Sequence, residues 1–345
     1  MKKTALAAVV AIASIAGMLA SGVTAADAAS KRACIILPDA DSGTRWEPGD
    51  RPALQKALTA AGFTADIQNA QSDTSKYATI ADQQLTAGCG VMILVDYQGA
   101  GAAVATKAKA QGIPVIAYDR PISGANYYVS FDNTKVGAME GQTVLNGLKA
   151  AGKNPKTAKI VYGSGDPADG NAKMFLDGAL AVLNKAGAKA AFTMAGTWDG
   201  PTAGTEFEQA FTKLKGKVDA VLAPNDNNAA NIIAILDKNH MKVPVSGQDA
   251  SVAGLQNVLL GKQTATVYKP FKVEAAAASK LAISLLKGQK VTVSKKLADG
   301  TPFVALTPIL VGPKDVKTVV AAGDAKASDI CVAAVKTACK KYGVK

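Results

Sequence analysis

Residues 113–122 read Ile-Pro-Val-Ile-Ala-Tyr-Asp-Arg-Pro-Ile. An apolar run of buried-strand type ends abruptly in two opposite charges, Asp119 and Arg120, with a proline next. A packed strand has no internal need for such a pair at its C-terminal end. In open α/β sheets that position faces the ligand crevice. A surface turn with a local ion pair is the plainer alternative.

Polar residues recur at the same kind of place along the chain. Thr44-Arg45-Trp46 follows the first apolar run. Further on come Asp169-Gly170-Asn171, Thr197-Trp198-Asp199, Pro224-Asn225-Asp226, Gln248-Asp249 and Val267-Tyr268-Lys269-Pro270. Taken singly, each could be a turn or a helix cap, and Asn225 or Asp226 as an N-cap competes directly with a ligand role. Parallel strands all point one way, so their C-terminal loops gather on one edge of each sheet. Two such edges facing each other would enclose a polar cleft.

The chemistry of that cleft suits a sugar. Every sugar hydroxyl both donates and accepts, and Asp, Asn and Arg offer several planar donors or acceptors. Charged partners strengthen each bond. The apolar C–H faces of a pyranose stack on indole, and the two tryptophans of the chain, Trp46 and Trp198, both fall in candidate loops. Packing of both rings into the core is the alternative.

Enzyme readings find little support. The single histidine, His240, follows a helical stretch, so histidine-based metal sites and Ser-His-Asp triads are excluded by count. Asp119 and Asp249 could form a glycosidase pair, but both have basic neighbours, which disfavours a protonated general acid. The glycine-rich Gly163-Ser-Gly165-Asp-Pro-Ala-Asp-Gly170 fits neither a dinucleotide fingerprint nor a phosphate loop, and reads as a strand-to-helix turn. No cofactor is expected.

The elements that must hold these residues alternate. Expected strands are Ala33–Leu37, Thr64–Asn69, Val91–Val95, Val115–Tyr118 and Tyr128–Ser130, with helices Arg51–Ala61, Tyr77–Ala87 and Gly99–Gln111 between them. This is βαβ alternation, the mark of a parallel sheet with helices on both faces. The pattern then restarts. Strands Lys159–Gly163, Ala190–Thr197, Ala220–Ala223, Val243–Gln248 and Thr264–Tyr268 alternate with helices near Asn171–Ala186, Gly204–Leu214, Asn227–Asn239 and Ser251–Leu259. An Ala-rich helix, Lys272–Leu286, comes after this second unit and could return to the first. Thr301–Val311 could supply further crossing strands.

Bulk features set the compartment. Lys2 and Lys3, the apolar run Ala5–Ala20 and the small residues around Ala25–Ala28 read as a cleaved signal peptide over residues 1–28. No cysteine stands at the cleavage point, so no lipid anchor is expected and the product is periplasmic or secreted. The remaining length suggests two domains. The net charge of +12 is carried by dispersed lysines such as Lys107, Lys109, Lys213, Lys215 and Lys217. Solvated lysine faces explain it better than nucleic-acid binding. Four cysteines in an oxidising compartment suggest disulfides. Cys34 and Cys89 would sit on neighbouring strands of a 2-1-3 sheet, within bridging range. Cys331 and Cys339 would lie about 12 Å apart on an unbroken helix, too far to bridge. Either the chain bends between them or they stay reduced.

The sequence resembles the sugar-binding proteins of bacterial ABC importers, of the ribose/galactose/xylose type, over about Ala33 to Lys317. The matching pieces are Arg45-Trp46 with Asp50-Arg51, Ala117-Tyr-Asp-Arg120, Ser130-Phe-Asp-Asn-Thr-Lys-Val-Gly137, Asn171-Ala-Lys173, Ser246-Gly-Gln-Asp249 and Thr266-Val-Tyr-Lys-Pro270. The resemblance implies two doubly wound parallel-sheet lobes, residues 33–131 plus 270–303 and residues 132–269 plus 304–345, joined by a three-segment hinge. It implies hydrogen bonds to a monosaccharide from Arg45, Asp119, Arg120, Asn171, Asn225, Asp249 and Lys269, and stacking by Trp46 and Trp198. D-xylose is the ligand it favours, with glucose or another aldose as the alternative and a secreted carbohydrate-active enzyme behind them. A monomer that delivers its sugar to a membrane permease is expected. Repressors of the same fold carry a DNA-binding helix-turn-helix where this chain has its export signal. The cysteines and the tail beyond Lys317 depart from the family's usual pattern.

Overall fold

The computed structural model describes residues 31–39 and 45–345. The expected signal peptide and Thr44 lie outside the described residues. The first unit runs β1 (Arg32–Leu37), α1 (Arg51–Ala60), β2 (Thr64–Asn69), α2 (Thr74–Thr86), β3 (Val91–Leu94), α3 (Ala100–Ala110), β4 (Val115–Tyr118) and β5 (Tyr127–Phe131). The second runs α4 (Asn133–Ala150), β6 (Ile160–Tyr162), α5 (Gly170–Lys185), β7 (Ala190–Thr193), α6 (Gly200–Lys213), β8 (Ala220–Leu222), α7 (Asp226–Lys238), α8 (Val252–Leu259) and β9 (Thr266–Tyr268). Then follow α9 (Phe271–Leu286), β10 (Phe303–Leu306), β11 (Ile309–Val311) and the short helices α10 (Val316–Ala321), α11 (Ala327–Ile330) and α12 (Lys336–Tyr342).

Two parallel sheets result. The first has strand order β10-β5-β4-β3-β1-β2, and the second β7-β6-β8. Strands β3 and β4 are buried along their whole length, which is why they read as unbroken apolar runs. The Ala-rich α9 does return to the first sheet: Ala275, Ala278, Leu281 and Ala282 pack against Ile35, Ile93 and Ile116. Strand β10 pairs with β5 there, whereas β11 pairs antiparallel with β9. The chain therefore passes between the two sets of elements after β5, after β9 and after β10.

Three expectations need correction. Val243–Gln248 forms no continuous strand; it pairs only at Val221–Val245 and Gln248–Val267. Pro244 has no N–H to give to a ladder. The strand beginning at Ala190 stops at Thr193, not Thr197, and the chain then turns through Gly196 at φ +104°. The longest helix among the described residues, α4, falls where no element was expected. Glycine is a poor helix former, but the glycines of α4 serve packing: a Cβ on Gly137 would lie 1.8 Å from the Phe175 carbonyl oxygen, and one on Gly141 2.7 Å from that of Ala179. Gly178 of α5 answers from the other side, 2.1 Å from Thr134. Close helix contact, not propensity, selects these residues.

Both disulfides form. Cys34 and Cys89 join β1 to the residue leading into β3, with Cα atoms 5.8 Å apart. Cys331 and Cys339 are bridged at 5.9 Å because the chain bends between α11 and α12. The tail is part of the core: Val316, Val319, Ile330, Val335 and Val344 pack against Leu255, Val258 and Leu259. Among the described residues, no helix is long and apolar enough to cross a membrane.

Candidate functional site

The C-terminal strand ends of both sheets face one cavity of about 520 Å³. On the first side it is bounded by Asp39 after β1, Asp96 after β3 and Arg120 after β4; on the second by Asp166, Asp169 and Trp198. This is the crevice that parallel α/β sheets place at their carboxyl edges.

Asp119 and Arg120 do not pair with each other. Arg120 Nε lies 3.3 Å from Asp169 Oδ2, across the cleft, and its Nη1 donates to the Asp96 carbonyl at 2.9 Å. Asp119 turns the other way, toward Arg45 Nη1 at 3.2 Å. The divergence has a backbone cause. Asp119 sits in the left-handed region at φ 63°, unusual for a non-glycine residue. Three donors converge on its carbonyl oxygen and hold it there: Tyr128 Oη and Ser130 Oγ, each at 2.9 Å, and Asn171 Nδ2 at 2.8 Å. Asp249 also lies at positive φ, 95°. Such conformations cost energy and concentrate at functional sites.

Arg45 is the hub of a buried ion cluster. Its guanidinium grips Asp50 through Nε at 2.8 Å and Nη2 at 2.7 Å, and Nη2 lies 2.6 Å from Glu274 Oε2. Tyr118 donates its hydroxyl to the same Asp50. Burial holds Glu274 above the usual carboxylate range, against the pull of Arg45. Trp46 belongs to the first-sheet core, and its ring is covered by the guanidinium of Arg45 at 4.8 Å and of Arg120 at 5.9 Å.

On the opposite side, Trp198 is only half-buried and lines the cavity. Its Nε1 donates to Asp169 Oδ2 at 3.1 Å and its ring meets Phe175 edge-on. Gly165 makes room for it: a Cβ there would come within 2.1 Å of the indole. Burial raises the Asp169 carboxyl above its ordinary value, opposed by Arg120. Lys269 pairs with Asp249 at 2.9 Å. Burial works to lower the Lys269 ammonium, but Asp249 and Asp119 outweigh it and hold it above its ordinary range.

Two further predicted residues, Asn171 and Asn225, are also engaged within the protein. Asn171 Oδ1 receives Asn133 Nδ2 at 2.8 Å and lies 2.8 Å from Tyr128 Oη, so this side chain ties α5 to β5 and to the Asp119 loop. Asn225 caps α7 through Oδ1, as the competing reading held. Asp226, next to it, is fully buried and receives Gln263, Thr266 and Ser251; burial pushes it up to about 7.

Residues not anticipated include Asp39, Asp96, Asp169 as a partner of Arg120, and Glu274. Asp39 and Asp96 follow β1 and β3 within a few residues, so the strand-end rule would have found them. Glu274 carries no such signal; it meets Arg45 from 229 positions away.

Fold and site together define a ligand-binding protein of the two-sheet, cleft type: charged and aromatic groups from both strand edges meet over one cavity. The chain belongs to the family of the periplasmic binding protein domain, whose family model matches residues 34–290, and its fold is that of type I periplasmic binding proteins. It is 32% identical over 300 residues to the D-xylose-binding periplasmic protein of Escherichia coli (strain K12), covering 83% of this chain and 88% of that protein. It is 30% identical over 331 residues to the multiple sugar-binding periplasmic receptor ChvE of Rhizobium radiobacter, covering 87% and 92%. A carbohydrate transporter solute binding protein from Chloroflexus aurantiacus, solved with D-glucose, superposes with a TM-score of 0.77 at 26% identity, covering 87% of this chain and 98% of that one. Fold and relatives are those of substrate-binding proteins, not enzymes.

Proposed function

We propose that the protein is the extracytoplasmic receptor of an ABC importer and captures an aldose, D-xylose in the first place, between two lobes. The lobes are residues 33–131 plus 270–303 and residues 132–269 plus 304–345, and residues 1–28 are an export signal. The observation that carries the reading is the facing of Arg120 and Trp198 over Asp169, a charged donor and an aromatic plate supplied from opposite strand edges. Asp119, Arg120, Asp249 and Lys269 bond hydroxyls, and Trp198 stacks on the ring. Arg45, Trp46, Asn171 and Asn225 border the sugar and hold these groups in place. Closure is favoured because the ligand touches both lobes. The monomeric closed form then delivers its sugar to a membrane permease. The relative that binds D-xylose supports a pentose.

Glucose is the second reading, favoured by the D-glucose complex of the structural relative. A thermal-shift panel of xylose, glucose, ribose, arabinose and galactose separates the two. A ligand at about a hundred times its Kd stabilises the folded form by about 2.7 kcal/mol. Xylose is expected to raise Tm most; a larger rise with glucose reassigns the ligand, and no rise with any aldose rejects sugar capture.

A further inference from the structure

We infer that Glu274, fully buried in the first turn of α9, positions Asp119 for the sugar by fixing Arg45. The inference rests on the proposed sugar site and names a residue that serves it without touching the ligand. Arg45 directs Nη1 to Asp119 Oδ1 at 3.2 Å. Asp119 Oδ2 takes no hydrogen bond from the described residues, and it is the oxygen left for a hydroxyl.

The aim of Nη1 depends on what holds the rest of the guanidinium, a rigid planar fork. Its Nε and Nη2 bind Asp50 at 2.8 and 2.7 Å. That pair is local, since Asp50 ends the short turn that follows Arg45, so it orients Arg45 only relative to its own stretch of chain. Two contacts fix that stretch to the first sheet and its helix. The Tyr118 hydroxyl holds Asp50 from β4, and Glu274 Oε2 holds Arg45 Nη2 itself, at 2.6 Å, from α9. The fit between turn and helix is close: a Cβ on Gly49 would lie 2.7 Å from the Phe271 ring at the start of α9.

Stability alone explains Glu274 poorly. Its other oxygen, Oε1, is buried with no hydrogen-bond partner among the described residues, and such exceptions call for a reason. Buried ion pairs often add no more to stability than apolar groups of the same size. Its neighbours on the helix, Ala275, Ala278 and Leu281, are core residues, so a carboxyl is kept where an apolar side chain would pack. Burial, against the pull of Arg45, holds this carboxyl above its ordinary range. Glu274→Gln therefore reproduces its shape and much of its charge state. Lys269 lies just before the same helix, paired with Asp249. One short segment thus supplies one sugar contact directly and orients another through Arg45.

Calorimetry with xylose and with glucose on the purified, exported chain tests the inference. For the sugar that binds, Glu274→Gln should keep the wild-type affinity within threefold, and Glu274→Leu should weaken it at least tenfold. In an Asp119→Ala background the same Glu274→Leu change should cost less than threefold more, because its effect runs through that carboxylate. A merely structural role gives a different pattern: lower stability in urea with unchanged affinity, or the full tenfold loss in both backgrounds. Either result overturns the inference and leaves the sugar site standing. If Glu274→Leu does not fold, Glu274→Asp, which withdraws the carboxyl by one methylene, takes its place. A fivefold loss is then expected, and unchanged affinity overturns the inference. Failure of the wild type to bind any aldose overturns the sugar-site reading and this inference together.

Discussion

Arg120 reaches Asp169 at 3.3 Å, and the two residues come from opposite edges of the cleft. One follows β4 of the six-stranded sheet; the other precedes α5 beside the three-stranded sheet. The same Asp169 oxygen accepts the Trp198 indole N–H. A single carboxylate thus orients the guanidinium that would bond a hydroxyl and the ring that would stack on its carbons. Arg120→Ala and Asp249→Ala should each weaken sugar binding by on the order of 2 kcal/mol, because a charge-assisted hydrogen bond is lost and its partner is left buried. Unchanged affinity in both variants, measured by calorimetry, rejects the site.

Gly165→Ala tests whether the indole must sit where it does. The new Cβ would press on Trp198 at 2.1 Å. Overpacking of this kind costs about 1–3 kcal/mol. With two tryptophans in the chain and Trp46 buried, altered tryptophan emission and weaker sugar binding should appear together. An unaltered spectrum would show that Trp198 has room to spare.

The two disulfides should differ in worth. Cys34–Cys89 closes 55 residues and Cys331–Cys339 closes 8. Loop-closure entropy assigns them about 4 and about 2.5 kcal/mol. Paired alanine variants in urea should follow that order; the reverse order would mean that the tail bridge holds more than its own loop.

Asp226 predicts a pH dependence. Its carboxyl is raised to about 7 in the folded protein by burial, against about 3.9 when unfolded. The folded state therefore keeps a proton that the unfolded state gives up. Its stabilising contribution is complete below about pH 4 and is lost as pH rises through about 7. Asp226→Asn removes this titration, so the stability of the wild type minus that of the variant should fall between pH 4.5 and 7.5. A flat difference would mean that the three donated hydrogen bonds keep Asp226 ionised throughout.

Asp324 links the tail to the crossings between the sheets. Tyr268 donates to it, and Lys272, at the start of α9, lies 2.7 Å from it while also donating to the carbonyls of Ala322 and Gly323. Asp324→Ala should destabilise by about 1–3 kcal/mol, since a buried hydroxyl and an ammonium lose their partner. Denaturation at neutral pH measures it, and an effect near zero would make the contact incidental.

Much of the fold was legible because it is periodic. Strands β2 and β4 keep their expected bounds, β4 on a fully buried apolar run, and most helices fall within a few residues of expectation. The failures are local conflicts. No element was expected over α4, whose glycines admit α5, and the expected strand Val243–Gln248 contains a proline. The candidate site was legible as residue types at strand ends, which is how Asp119, Arg120, Trp198 and Asp249 were singled out.

Sequence alone determined that charges and indoles stand at the carboxyl ends of parallel strands, because strand direction and the βαβ alternation leave those loops one edge to occupy. Tertiary structure decided their partners. Arg120 pairs with Asp169 rather than with its neighbour Asp119, Asn171 is spent on Tyr128 and the Asp119 carbonyl, Trp46 is covered and Trp198 is open. Apart from the Arg45 cover on its neighbour Trp46, these contacts join residues far apart in the chain. They depend on how helices dock and where a backbone turns left-handed, and neither leaves a periodic mark in the sequence.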